Sequence, residues 1–166
     1  MDKKTLLIIL IILIISNLIF FIFYLDIDLT EAGIDFPSNS EKGFVSRVID
    51  GDTVVINGES VRLLSIDTDE RGGECYNEAK ERLEELILNK EVILEKDVRD
   101  KDQYRRYLRY LFLEDSEGNI NVNLKLVEEG LAIARFYEDK KYKEEILRAE
   151  YNARNNKIGC KWVNIE

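Results

Sequence analysis

Between Val48 and Glu70 the chain reads VIDGDTVVINGESVRLLSIDTDE. Two acidic turns stand in it, Asp50-Gly51-Asp52-Thr53 and Asp67-Thr68-Asp69-Glu70, with Arg62 between them. Carboxylates gathered at neighbouring strand ends repel one another unless something positive lies among them. A hard divalent cation answers that need, because calcium and magnesium prefer oxygen ligands. A guanidinium added beside such a cation makes a site for a phosphate. Asp52 and Asp67 are therefore the candidate metal ligands. Glu70, three residues beyond Asp67, is placed to orient or activate a water as general base. Arg62 is the candidate phosphate clamp. Attack on a phosphate adds negative charge as phosphorus becomes five-coordinate, so a preplaced guanidinium favours the transition state over the ground state. Arginine suits this better than lysine, since its planar fork engages two oxygens. Taken one at a time, the same residues read as ordinary turn formers and outward strand residues.

The elements that would position these groups are legible from periodicity. Gly43–Ile49, Thr53–Ile56 and Ser60–Ile66 are expected as three consecutive strands, the last two joined by the tight turn Asn57-Gly58. That hairpin would bring the two acidic turns together. Asn77–Leu88 carries Ala79, Leu83, Leu86 and Ile87 at helical spacing with a charged outer face. Glu91–Lys96 and Arg106–Leu113 read as two more strands. A short helix over Asn121–Glu129 would end at Gly130. A final helix over Lys140–Asn155 has Tyr142, Ile146, Ala149 and Ala153 on one side. Periodicity alone gives an α+β fold. Five strands with a helix after the third, and helices after the fifth, suit a Greek-key OB-type barrel with about three helices.

The Asp-Gly-Asp-Thr turn, the Arg62-Leu63-Leu64 strand, the Asp67-Thr68-x-Glu70 turn and Asp102-x-Tyr104-x-Arg106 follow one another at spacing compatible with one domain. Together they resemble the staphylococcal, thermonuclease-like nuclease family, over about Gly43 to about Trp162. The resemblance implies the same five-stranded OB-fold barrel. It casts the metal as calcium, adds the backbone carbonyl of Thr68 to Asp52 and Asp67 as ligands, and makes Arg106 a second phosphate clamp beside Arg62. It implies a hydrolase that cleaves DNA and RNA by attack of water, leaving a 5′-hydroxyl and a 3′-phosphate end. The family stacks tyrosines on nucleic-acid bases, a mode that tolerates any sequence. Tyr104 matches one of these. Phe136 or Tyr137 would lie where others sit, a core or rim role remaining equally open for that pair.

Two departures from the family pattern matter. Asp69 stands where the family usually has proline, and it is expected to face solvent, tighter metal binding being the alternative. Arg105 stands where the family usually has glycine. If that position needs positive φ, Arg105 costs about 1 kcal/mol of strain. Tyr104 fixes the register so that Arg106, not Arg105, is the phosphate-facing residue.

Composition bounds the rest. There is no histidine among the 166 residues, which excludes a Ser-His-Asp triad, a Cys-His dyad and histidine-ligated zinc. Hydrolysis must then come from carboxylates, Lys, Tyr, Arg or a metal bound through oxygen. Beyond residue 40 there are 28 Asp and Glu against 22 Lys and Arg, a net charge of −6. Such a domain is a poor sequence-independent DNA binder, since that affinity follows phosphate neutralisation. An enzyme needs only local positive charge and its metal. Lys140, Lys141 and Lys143 read as a solvated helix start, with a basic rim as the alternative.

Leu6 to Leu25 is a run of twenty uncharged residues, LLIILIILIISNLIFFIFYL, long enough as a helix to span a bilayer. Lys3 and Lys4 precede it while Asp26, Asp28 and Glu31 follow it. The positive-inside rule then puts residues 1–5 in the cytoplasm and the domain outside. Residues 26–40, with the lone Pro37, form a tether, and 41–166 the nuclease-like domain. Secretion after signal cleavage is the competing expectation. A domain outside the membrane favours a disulfide between Cys75 and Cys160, two free thiols being the alternative. The leading expectation is thus a membrane-anchored, calcium-dependent nuclease. The alternative is a catalytically inactive OB-fold module for nucleic-acid binding or surface interaction. Inactive relatives would be expected to lose some of Asp52, Arg62, Asp67, Glu70 and Arg106, and all five remain.

Overall fold

Strands form here over short runs rich in Val, Ile and Leu, and the chain turns at Asn57-Gly58, where two residues take positive φ. In the computed structural model, residues 41–116 and 118–163 are described, with 2, 4, 5, 13 and 15–17 of the N-terminal segment. The chain divides into two units, residues 1–34 and 35–166. The expected span over 6–25 and tether over 26–40 lie almost wholly outside the described residues. Among the described residues, no helix is long and apolar enough to cross a membrane.

In the second unit, β1 (Glu41–Val48), β2 (Thr53–Ile56) and β3 (Glu59–Leu63) form an antiparallel meander. Asn57 and Gly58 take φ of 51° and 87°, the mirror-image turn that matches strand twist in a two-residue hairpin. Ser60–Ile66, expected as one strand, breaks in two. Ser65 adopts φ 63°, ending the strand after Leu63, and the short β4 (Ile66–Asp67) departs in a new direction.

α1 (Tyr76–Ile87) follows and buries Ala79, Leu83, Leu86 and Ile87, the four positions its periodicity marks. β5 (Glu91–Glu95) and β6 (Tyr107–Asp115) complete the barrel. The order β3-β2-β1-β5-β6 closes on itself because β3 pairs with β6 in parallel, Arg62 opposite Leu108. The result is a five-stranded barrel of mixed sense with helices attached, as an OB-type fold requires. Its interior is apolar, with Val45, Val54, Val61, Leu63, Leu111 and Phe112 almost fully buried.

Two strands lie outside the expected set, and the two later helices differ from it in their bounds. β7 (Gly118–Asn121) extends β6 as a hairpin, and β8 (Ile133–Ala134) pairs with β4. α2 (Val122–Glu128) starts where the Asn121 side chain accepts the Leu124 N–H at 3.1 Å. α3 (Lys143–Asn155) starts three residues later than expected and buries Ile146, Ala149 and Ala153. Asn123 on α2 is wholly buried. Its side chain accepts from Leu111 N at 3.0 Å and donates to Leu64 O at 2.9 Å. It thereby satisfies backbone groups at the foot of the seam, which would otherwise be stranded where β3 turns away from β6.

Candidate active site

Barrel closure places the candidate residues. In the β2–β3 hairpin Thr53 lies opposite Arg62, so Asp52 stands beside the arginine at the end of the strand pair. The Leu63 N–H donates to Asp52 O at 2.8 Å and extends that pairing by one residue. The parallel β3–β6 seam brings Arg106, just ahead of β6, to the same edge. Gly51 lets the first acidic turn approach the second. A Cβ there would lie 2.7 Å from Ala79 Cβ and 2.8 Å from Thr68 Oγ1, closer than packed atoms allow.

The side chains form an alternating row of cations and anions. Arg106 Nη1 reaches Thr53 Oγ1 at 3.3 Å, and that hydroxyl donates to Asp52 Oδ1 at 3.1 Å. Arg62 Nη2 lies 2.9 Å from both Asp52 Oδ2 and Asp67 Oδ1. Asp67 Oδ2 in turn accepts from Arg135 Nη1 at 2.7 Å. Asp52 is 6% exposed and also accepts from Thr68 N at 2.9 Å and Thr68 Oγ1 at 3.0 Å. Burial pushes its carboxyl up to about 6, against the pull of Arg62 and the Thr68 N–H.

Two carboxylate oxygens converging on one cationic nitrogen make a site that suits a cation. The set is of hard oxygen donors, which fits calcium or magnesium. Among the described residues no three acidic or thiol side chains gather closely enough to hold an ion by themselves. Asp52 and Asp67 would therefore leave positions open to backbone oxygen, water and a phosphate, as catalysis by a bound ion requires.

The remaining expected residues fall into place unevenly. The Glu70 carboxylate is exposed at the rim, beyond Thr68, and takes no partner among the described residues. Arg106 is held by Asp102, which accepts from Arg106 Nε at 2.7 Å, Arg106 N at 3.0 Å and Tyr104 N at 2.9 Å. Burial pushes the Asp102 carboxyl up, but its bonds with Arg106 outweigh that and hold it below the usual range. Asp102 was part of the motif but carried no expected role; an Asp two and four residues before bonded N–H groups is the signal.

Arg105 takes φ 67° and is exposed, so the strain anticipated at a glycine position is present and the register favours Arg106. Arg109, three residues beyond Arg106, is buried and paired with Asp100 at 2.8 Å. Tyr104 is 71% exposed, with the Arg106 guanidinium 5.4 Å from its ring centre. Tyr137 is likewise open, while Phe136 is half-buried against the core. Lys141 pairs with the buried Glu95 at 2.6 Å, so it is not part of a free basic rim.

Asp69 corrects an expectation. It does not face solvent: it accepts from Cys75 N at 2.8 Å and is ion-paired with Lys161. The bond from Lys161 holds its carboxyl below the usual range despite partial burial. Beside it, Cys75 and Cys160 form a disulfide with Cα atoms 5.5 Å apart. The C-terminal tail is thus tied twice to the loop that carries Glu70. Arg135 and Lys161 were not anticipated, since no local pattern relates them to the acidic turns.

Comparison with known proteins gives one consistent answer. A family model described as staphylococcal nuclease homologue matches residues 60–163. A thermonuclease from Staphylococcus hyicus is 35% identical over 138 residues, 76% of this chain and 79% of that protein. A thermonuclease from Staphylococcus intermedius is 37% identical over 133 residues, 71% of this chain and 74% of that protein. A micrococcal nuclease from Shigella flexneri is 34% identical over 128 residues, covering 71% and 72% of the two chains.

Proposed function

This chain belongs to the staphylococcal nuclease family, and from that premise we propose that it is a calcium-dependent phosphodiesterase acting on DNA and RNA. The observation that carries the reading is Arg62 held between Asp52 and Asp67, with Arg106 brought to the same edge by the β3–β6 seam. Asp52, Asp67 and the Thr68 carbonyl would hold the calcium, which when bound supplies positive charge to the attacked phosphate.

The chain's own groups do the rest. Arg62 and Arg106 grip the phosphate oxygens and meet the charge that builds as phosphorus becomes five-coordinate. Asp102 fixes the Arg106 fork, so little reorganisation is left for the reacting complex. Glu70, open to solvent at the rim, takes the proton of the attacking water. The bond from phosphorus to the 5′-oxygen breaks, and that oxygen takes a proton from solvent, giving a 5′-hydroxyl and a 3′-phosphate. Exposed Tyr104 and Tyr137 offer faces for bases, so cleavage would tolerate many sequences.

For location, we read residues 6–25 as an uncleaved span with the domain outside the cytoplasmic membrane. The Cys75–Cys160 disulfide supports an oxidising surrounding, and secretion after cleavage is the alternative.

The test is cleavage of single-stranded DNA by the purified chain, with calcium or with a chelator, comparing wild type with Glu70→Gln. Calcium-dependent cleavage that the substitution reduces by roughly 100- to 10,000-fold supports both the activity and the base. Folded wild type that binds DNA without cutting it would instead indicate a binding module. Neither cutting nor binding would reject both.

A further inference from the structure

We propose that Arg135 is a third phosphate contact of the substrate groove, taking a phosphate adjacent to the one gripped by Arg62 and Arg106. This rests on the nuclease reading above. The pairing of β4 with β8 sets Asp67 opposite Ile133, and Arg135 N donates to Ser65 O at 3.0 Å. The arginine is thereby delivered to the free side of Asp67, at the end of the row opposite to Arg106.

Its surroundings differ from those of an ordinary counterion. Arg62 is shared between Asp52 and Asp67, so Arg135 balances the second carboxylate only until a divalent cation binds there and takes over that charge. Arg135 Nε donates to the Tyr137 hydroxyl at 2.9 Å while Nη1 holds Asp67. Nη2 takes no partner among the described residues. The side chain is 53% exposed, against 15% for Arg62 and 29% for Arg106. A fork fixed at two nitrogens and open at the third is pre-organised for an incoming oxygen. With Asp67 standing between them, Arg62 and Arg135 are kept from gripping one and the same phosphate. Tyr137, 66% exposed, lies with its ring centre 5.9 Å from the guanidinium carbon, so a stacking face adjoins the proposed contact. In a domain of net negative charge, each exposed, oriented cation near the site weighs heavily in holding a polyanion.

The deciding measurement is the salt dependence of single-stranded DNA binding with calcium present. Glu70→Gln would be compared with the same chain also carrying Arg135→Gln or Arg135→Lys, so that the strand stays uncut. Loss of one charge-assisted contact should weaken binding roughly tenfold at low salt. It should also lower the slope of log affinity against log salt by about 0.7, with lysine restoring the slope. An unchanged slope with intact binding overturns the proposal and leaves the nuclease reading standing. A change in calcium affinity alone also overturns it, because Arg135 would then serve only to hold Asp67. If wild type neither binds nor cuts DNA, both readings fall.

Discussion

The β3–β6 seam and the loop from Asp67 to Cys75 flank the same row of charges, yet they are held by different physics. The seam is fixed by backbone register: a two-residue hairpin sets Thr53 against Arg62, and a parallel pairing sets Arg62 against Leu108. The loop has no ladder beyond the two residues of β4. It is fixed by ties from the far end of the chain, the Cys75–Cys160 bridge and the Asp69–Lys161 pair. Register costs nothing beyond folding the barrel, whereas the ties must be made across 85 residues of sequence. Chemistry should therefore depend on the seam, and persistence of the loop on the tail.

The sharpest break in that comparison is Arg62→Gln. It removes the cation shared by Asp52 and Asp67 and, on the proposed reading, a donor aimed at the developing charge. Cleavage should fall roughly 100- to 1,000-fold, read as kcat at saturating calcium and DNA, while the circular dichroism spectrum is retained. A loss confined to KM would mean that Arg62 binds substrate and transition state alike.

Next comes the tail. Replacing Cys75 and Cys160 together by serine frees a long loop in the unfolded chain, and denaturant titration should show a loss of about 4 kcal/mol. The activity of the molecules that remain folded should change only a few-fold. If instead the double variant lost activity as steeply as Arg62→Gln while still folded, the tail would belong to the chemistry and the contrast would fail.

The same contrast explains what the sequence made legible. Asp52, Arg62, Asp67 and Arg106 are singled out by the four motifs of the resemblance, and the structure brings them to one edge because each lies within a residue of an element whose own pattern announces it. Asn57-Gly58 and the apolar spacing of α1 are local signals of that kind. Ser65 escaped notice because a polar residue inside an apolar run gives no sign of φ 63°. Asp69, Arg135 and Lys161 escaped because their partners lie 92, 68 and 92 residues away, and a single sequence does not reveal which distant charges meet. Asp69 was misread for the same reason: an isolated acid in a turn looks solvated until its lysine is known.

A smaller effect tests the seam's own flaw. Arg105 adopts φ 67° immediately before Arg106, in a conformation that costs a β-carbon-bearing residue about 1 kcal/mol. Arg105→Gly should raise stability by up to about 1 kcal/mol in a chemical melt, glycine's greater unfolded entropy offsetting part of the gain. Activity should hold, since Arg106 is the residue fixed by Asp102. A drop in kcat would show that Arg105 shares the clamp.

The smallest expected effect probes the loop's polar tie. The Lys161 bond and the Cys75 N–H stabilise the charged form of Asp69, so its folded pKa lies below the ordinary 3.8. A depressed carboxylate contributes stability above the unfolded value, and that contribution is lost as pH falls toward the folded one. Asp69→Asn should therefore cost about 0.5 kcal/mol at neutral pH, and the gap from wild type should shrink below about pH 4. Lys161→Gln should show the same pH course. The double variant should cost less than the two single losses added, because the residues act as a pair. Strict additivity would mean that the pair contributes little, leaving the disulfide as the tie that holds the loop.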